Sequence, residues 1–113
     1  MFNGIIKNTG KIFKIYKNGP NCSIMISSKL TFSKNDIGSS ISCSGACLTL
    51  EKYKKNLSTF YISKETLNKT NFKYAKNGYI INMEKSLKYG NRISGHFVQG
   101  HVDTTSIVKK ISI

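Results

Sequence analysis

The stretch GHFVQGHVDTTSIVKKI at residues 95–111 repeats the pattern with which the chain begins, MFNGIIKNTGKIFKI. An offset of 96 residues pairs Gly4 with Gly100, Ile6 with Val102, Thr9 with Thr105 and Ile12 with Val108. The same ungapped register pairs Lys14 with Lys110 and Ile15 with Ile111. An internal repeat sets the architecture before any local propensity does. It implies two similar units, one at residues 1–95 and the opening of another at residues 96–113, after the polar, glycine-bearing stretch YGNRISG.

Within the first unit the pattern is mainly β. Residues 22–28 (CSIMISS) put Ile24 and Ile26 on one face, and residues 57–63 set Leu57, Thr59 and Tyr61 against Ser58, Phe60 and Ile62. SSISCSGACLTLEKY breaks at Ser44–Gly45, then alternates Cys47 and Thr49 with Leu48 and Leu50. Residues 10–17 and 78–84 read as further strands, with the NGP turn at 18–20 after the first. A helix of about two turns is expected at residues 64–70, capped by Ser63, and a further helical turn over 83–90, ended by Gly90. Residues 96–113 read as one more strand. Short strands separated by frequent turns predict an all-β fold, a sandwich or a small barrel, of which the closed barrel has the advantage of leaving no exposed edge.

Composition narrows the function classes. No run approaches the ~20 apolar residues that span a bilayer, and MFNGIIKNTGK lacks the continuous apolar region of a secretory signal. Three cysteines, Cys22, Cys43 and Cys47, are an odd number, which favours reduced thiols and a cytoplasmic location. The net charge of +13 invites a nucleic-acid reading, but of 18 basic residues only Arg92 is arginine. Readers of bases and phosphates favour bidentate Arg, and the lysines are scattered. The charge is read as compositional bias, with neither nucleic acid nor membrane as partner.

The chemistry-bearing residues are few. Gly4 and Gly100 each open a strand-like segment where a flat ligand can approach the backbone, although an isolated glycine more commonly marks a turn. His96 and His101 are the only histidines. Their spacing with Cys43 and Cys47 matches no zinc signature, so no metal is expected. His101 shares a strand face with Asp103, and either histidine has the range for proton transfer. Cys47 is a nucleophile or ligand-contacting thiol on one reading and a small buried hydrophobe on the other. Glu65 and Thr66 lie at a strand-to-helix junction, where free N–H groups suit a polar ring edge or simple capping.

MFNGII, SGACLTL, ETLNKTNF and INMEKSLKYGNRISGHFVQGHVD, in this order and spacing, resemble the riboflavin synthase family over essentially the whole chain. The resemblance implies two homologous six-stranded Greek-key barrels, of which this chain holds the first and the opening strand of the second. It implies conversion of two 6,7-dimethyl-8-ribityllumazines into riboflavin and a ribitylamino-pyrimidinedione, with no metal or redox cofactor. It also implies a homotrimer for the two-barrel protein; by pseudo-symmetry two copies of a lone first barrel are expected to face each other as a homodimer, with binding surviving and catalysis low or absent. Carried over position by position, the first barrel's lumazine meets Gly4, Ile5, Ile6, Cys47, Leu48 and Thr49. The stretch Tyr61, Ile62, Ser63, Lys64, Glu65 and Thr66 closes the pocket. Gly100, His101 and Val102 form the matching strand from the second unit. His101 is assigned proton transfer and Cys47 binding or assistance to nucleophilic addition. Thr104 departs from the family, which more often has glycine after the aspartate. A catalytically silent lumazine- or flavin-binding module is the alternative.

Overall fold

The computed structural model describes residues 1–113. Six antiparallel strands close into a barrel in the order β1-β2-β5-β4-β3-β6. They are β1 (Asn8–Asn18), β2 (Asn21–Ser28), β3 (Ser40–Cys43), β4 (Ala46–Lys54), β5 (Leu57–Ile62) and β6 (Ile80–Lys85). The neighbours β2 and β5, and the return of β6 between β1 and β3, give the Greek-key connectivity. One short helix, α1 (Lys64–Lys69), and two 3-10 turns at Lys34–Asp36 and Asn71–Tyr74 lie between the strands in sequence.

Period-two alternation builds the interior. Cys22, Ile24 and Ile26 from β2, Leu48 and Leu50 from β4, and Phe60 and Ile62 from β5 all point inward and are buried. Two bulges bend the sheet enough to close it. The first makes Phe13 an extra residue, with Ile12 opposite Ile26 and Lys14 opposite Met25. Ile12 and Ile15, three apart, therefore both turn toward the core. The second falls at Glu51, between the pairs Leu50–Phe60 and Lys52–Thr59. Gly10 sits where β1 crosses the core, with room for no side chain: an added Cβ would stand 2.4 Å from Ile26 Cγ2 and 2.7 Å from Met83 Sδ.

The hairpin from β3 to β4 turns on Ser44 (φ 49°) and Gly45 (φ 87°). Two successive positive φ values are what a tight two-residue hairpin loop demands. This turn starts β4 at Ala46, so that Cys47 and Thr49 fall outside the barrel.

Two sequence expectations are corrected. Residues 83–90 form no helix: β6 runs to Lys85, because Met83 and Ile81 alternate into the core and ladder pairing with β1 and β3 outweighs local helix propensity. Residues 96–113 form no strand beyond a single bridge between Phe2 and Val98. A strand is held by neighbours, and past residue 100 no backbone partner pairs with this segment.

The loop before β3 is latched by Asp36, which is buried. Its Oδ2 accepts from the Ser33 N–H at 2.8 Å and from the Lys85 ammonium at 3.3 Å. The Lys85 Nζ also lies 5.0 Å from the centre of the Phe32 ring. The Ser33 N–H is the main cause that holds the Asp36 carboxyl below its ordinary range; Lys85 adds to it and burial opposes it. A depressed folded-state pKa contributes stability above the unfolded value of about 3.9, which is lost as pH falls through the folded value. Asp36→Asn is therefore expected to lower the melting temperature at pH 7 and to flatten the acid-side loss of stability below about pH 4. Thermal melts of both proteins across that range check it; parallel curves would remove Asp36 from the account.

Candidate functional site

The outward face of β4 meets α1 and the segment at residues 100–103 around a cavity of about 360 Å³. Three parts of the chain build its wall. Ala46 and Cys47 come from the start of β4, Glu65, Thr66, Lys69 and Thr70 from α1 and its end, and Gly100 to Asp103 from the second copy of the repeat. The Cys47 N–H donates to the Gly100 carbonyl at 2.8 Å, joining β4 to that segment.

The helix is placed by its cap. Ser63 Oγ accepts from the Thr66 N–H at 3.1 Å, and its hydroxyl lies 3.0 Å from Thr66 Oγ1. At the other end Thr70 Oγ1 donates to the Thr66 carbonyl at 2.8 Å. On the exposed side Glu65 and Lys69 pair at 2.9 Å. That hydrogen bond and charge hold the Glu65 carboxyl below its usual range and raise Lys69, with Asp103 adding slightly to Lys69. Two of only five acidic residues in a +13 chain thus line one cavity.

The carried-over residues divide into three groups. Cys47, Glu65, Thr66, Gly100, His101 and Val102 come together around the cavity. Leu48 and Ile62 point into the barrel and are buried, Ser63 caps α1, and Lys64 is exposed on the first turn. Thr49 and Tyr61 lie opposite each other on the outer face, and the Tyr61 hydroxyl bonds Asn21 Oδ1 at 3.1 Å beside a neighbouring groove. Gly4, Ile5 and Ile6 do not reach the cavity. Ile5 lines a separate cavity of about 510 Å³, together with Arg92 and Ser94. Asp103 reaches the same cavity wall as His101, but among the described residues no hydrogen bond joins them.

The separation of Gly4 from Gly100 has a geometric cause. Phe2 and Val98, also 96 residues apart, donate to each other's carbonyls at 2.8 Å in both directions. Gly4 and Gly100 hold nearly the same positive φ, 80° and 78°. Reciprocal bonds between equivalent residues place a local two-fold axis between the two copies of the repeat. One copy then turns its glycine to Cys47, and the other turns its glycine to the opposite side.

Lys69 and Thr70 line the cavity without having been singled out, although Lys69 stands four residues after Glu65 on a predicted helix, a spacing that marks an ion pair. Cys43, by contrast, is a core residue whose thiol burial pushes far above its ordinary pKa. Among the described residues no three His, Cys, Asp or Glu side chains cluster as a metal site.

The closed Greek-key barrel carries this cavity on its outer face, edged by hydroxyls and a small thiol. Residues 3–86 match the lumazine binding domain, and the chain belongs to that family. Riboflavin synthases are similar along nearly the whole chain. That of Buchnera aphidicola subsp. Baizongia pistaciae is 37% identical over 109 residues, 96% of this chain and 51% of the relative. That of Photobacterium phosphoreum is 38% identical over 109 residues, again 96% of this chain and 50% of the relative. The chain spans about half the length of the curated relatives it matches. A crystal structure of LumP complexed with riboflavin superimposes with a TM-score of 0.75 at 25% identity, over 92% of this chain and 56% of that one. LumP complexed with 6,7-dimethyl-8-(1'-D-ribityl) lumazine gives 0.70 at 26% identity, over 88% and 56%. Among the described residues no helix is long and apolar enough to cross a membrane.

Gly100→Ala tests the seam. The new Cβ would stand 2.9 Å from Cys47 Cβ and 3.2 Å from the Phe2 ring, on a backbone conformation that L-residues rarely adopt. The 100–103 segment is expected to shift off β4, lowering affinity for a cavity ligand at least about tenfold while the barrel still melts cooperatively. Isothermal titration beside a thermal melt reads both; unchanged affinity would detach the seam from ligand binding.

Proposed function

We propose that the cavity between Cys47, Thr66 and Gly100–Val102 binds one 6,7-dimethyl-8-ribityllumazine. Together with a second such pocket, the protein acts as riboflavin synthase, a transferase. Two lumazines lie face to face; a four-carbon unit leaves one and joins the other, giving riboflavin and 5-amino-6-ribitylamino-pyrimidinedione. The atoms of the two substrates equal those of the two products, so no oxidant or cofactor is consumed. The protein's part is positioning and proton movement. His101 moves protons at the ring, Cys47 holds or adds to the heterocycle, and the Thr66 hydroxyl takes its polar edge.

The observation that carries this reading is the seam: a segment of the second repeat closes a pocket on the first barrel, in a chain of the lumazine-binding family. Residues 1–95 are then the first barrel, and residues 96–113 open a second. By the local two-fold relation, Gly4–Ile6 serve the second barrel's pocket as Gly100–Val102 serve the first. A second copy of this chain can stand in for that barrel as a homodimer, and the two-barrel protein forms a homotrimer in the cytoplasm. A second reading has the barrel hold lumazine or flavin without turnover, favoured by the likeness to LumP with a lumazine and with riboflavin.

Mixing the purified chain with 6,7-dimethyl-8-ribityllumazine and following absorption tests both. A prompt shift in the lumazine band is expected, then slow growth of a flavin band. His101→Gln should keep the shift and slow the growth at least about tenfold. A shift with no flavin selects the silent module. No shift at all contradicts the pocket, and rapid turnover by this chain contradicts the need for a second barrel.

A further inference from the structure

We infer that Glu84 is a positioning residue for the ligand cavity, acting from β6 through the N-terminal segment without reaching the ligand. The inference rests on the reading that the seam at Gly100 binds lumazine. Residues 1–7 precede β1 and lie outside the barrel ladder, so their place depends on a few specific bonds. Two of these end on Glu84. Its Oε2 accepts from the Asn3 N–H at 2.6 Å and its Oε1 from the Gly4 N–H at 3.1 Å. A carboxylate is the one side chain of this length with two acceptor oxygens for two successive backbone donors.

From Asn3 the connection runs to the cavity wall in short steps. The Asn3 carbonyl accepts from the His96 N–H at 3.1 Å, and its Oδ1 accepts from the Ser94 N–H at 3.3 Å. Beside it, Phe2 and Val98 exchange their two bonds, and two residues further the Gly100 carbonyl receives the Cys47 N–H. Phe2 is 1% exposed, and its ring packs directly beneath Gly100. A displacement of Asn3 and Gly4 therefore moves Phe2 and Val98, and with them the wall at Gly100. Glu84→Gln keeps the size but replaces one acceptor with an NH₂ that faces an N–H, setting donor against donor.

Hydrogen exchange and ligand titration of Glu84→Gln beside the parent chain test the inference. In the parent, the Asn3, Gly4 and Cys47 amides are expected to be protected. In Glu84→Gln all three should exchange at least about tenfold faster, while the Ile24 amide in β2 keeps its rate. The Kd for 6,7-dimethyl-8-ribityllumazine should rise about tenfold. Glu51→Gln, which removes an equal charge from the far side of β4, should leave it within about twofold. Unchanged Cys47 exchange, or a Kd within about twofold of the parent, overturns the inference. If Glu84→Gln does not fold, the parent decides alone: Asn3 and Gly4 amides exchanging as in a free peptide refute the clamp. If the parent binds no lumazine, the proposed function fails, and the exchange rates still decide whether Glu84 holds the wall.

Discussion

The pairing of β6 on both of its edges is the constraint on which the rest of this molecule depends. Residues Ile80–Lys85 bond to β1 on one side and to β3 on the other, turning a meandering sheet into a cylinder. Without that closure β1 and β3 would each present an unpaired edge. Met83 fills the interior from this strand, and Lys85 reaches the Asp36 latch. Glu84, between them, faces out and takes the amides of Asn3 and Gly4. One strand of six residues thus closes the core, braces the loop before β3 and anchors the N-terminal segment.

The cavity itself belongs to two repeats. Cys47 and α1 come from the barrel, whereas Gly100–Asp103 come from the copy that begins 96 residues after the first. The reciprocal Phe2–Val98 bonds sit on the local axis between the copies, so the glycine of each faces a different way. The cavity wall carries the Glu65–Lys69 pair and Asp103.

Much of this was legible in the residues. Strict alternation located β2, β4 and β5, and the repeat singled out Gly100. The bulges were not legible, because an extra residue at Phe13 or Glu51 has no local signature; it is needed only for closing the barrel. Residues 83–90 carry helix formers, yet Met83 is placed by the core and its ladder, a non-local term that outweighs propensity. The expected strand at 96–113 has the right alternation and no neighbours to pair with. Gly4–Ile6 match ligand-contact positions of the family, yet they do not line the cavity at Cys47, and the two-fold relation accounts for that separation. Glu84 escaped notice because its partners are backbone amides some eighty residues away in sequence.

The most direct test of the central claim, that one lumazine sits at the seam between β4 and the second repeat, is an amide chemical-shift map of the chain titrated with 6,7-dimethyl-8-ribityllumazine. The account predicts large shifts at Cys47, Thr66, Gly100 and His101, with Ile5 and the groove beside Tyr61 left unmoved. Shifts concentrated at Ile5 and Arg92, or around Tyr16 and Tyr61, would place the ligand in another cavity and contradict it.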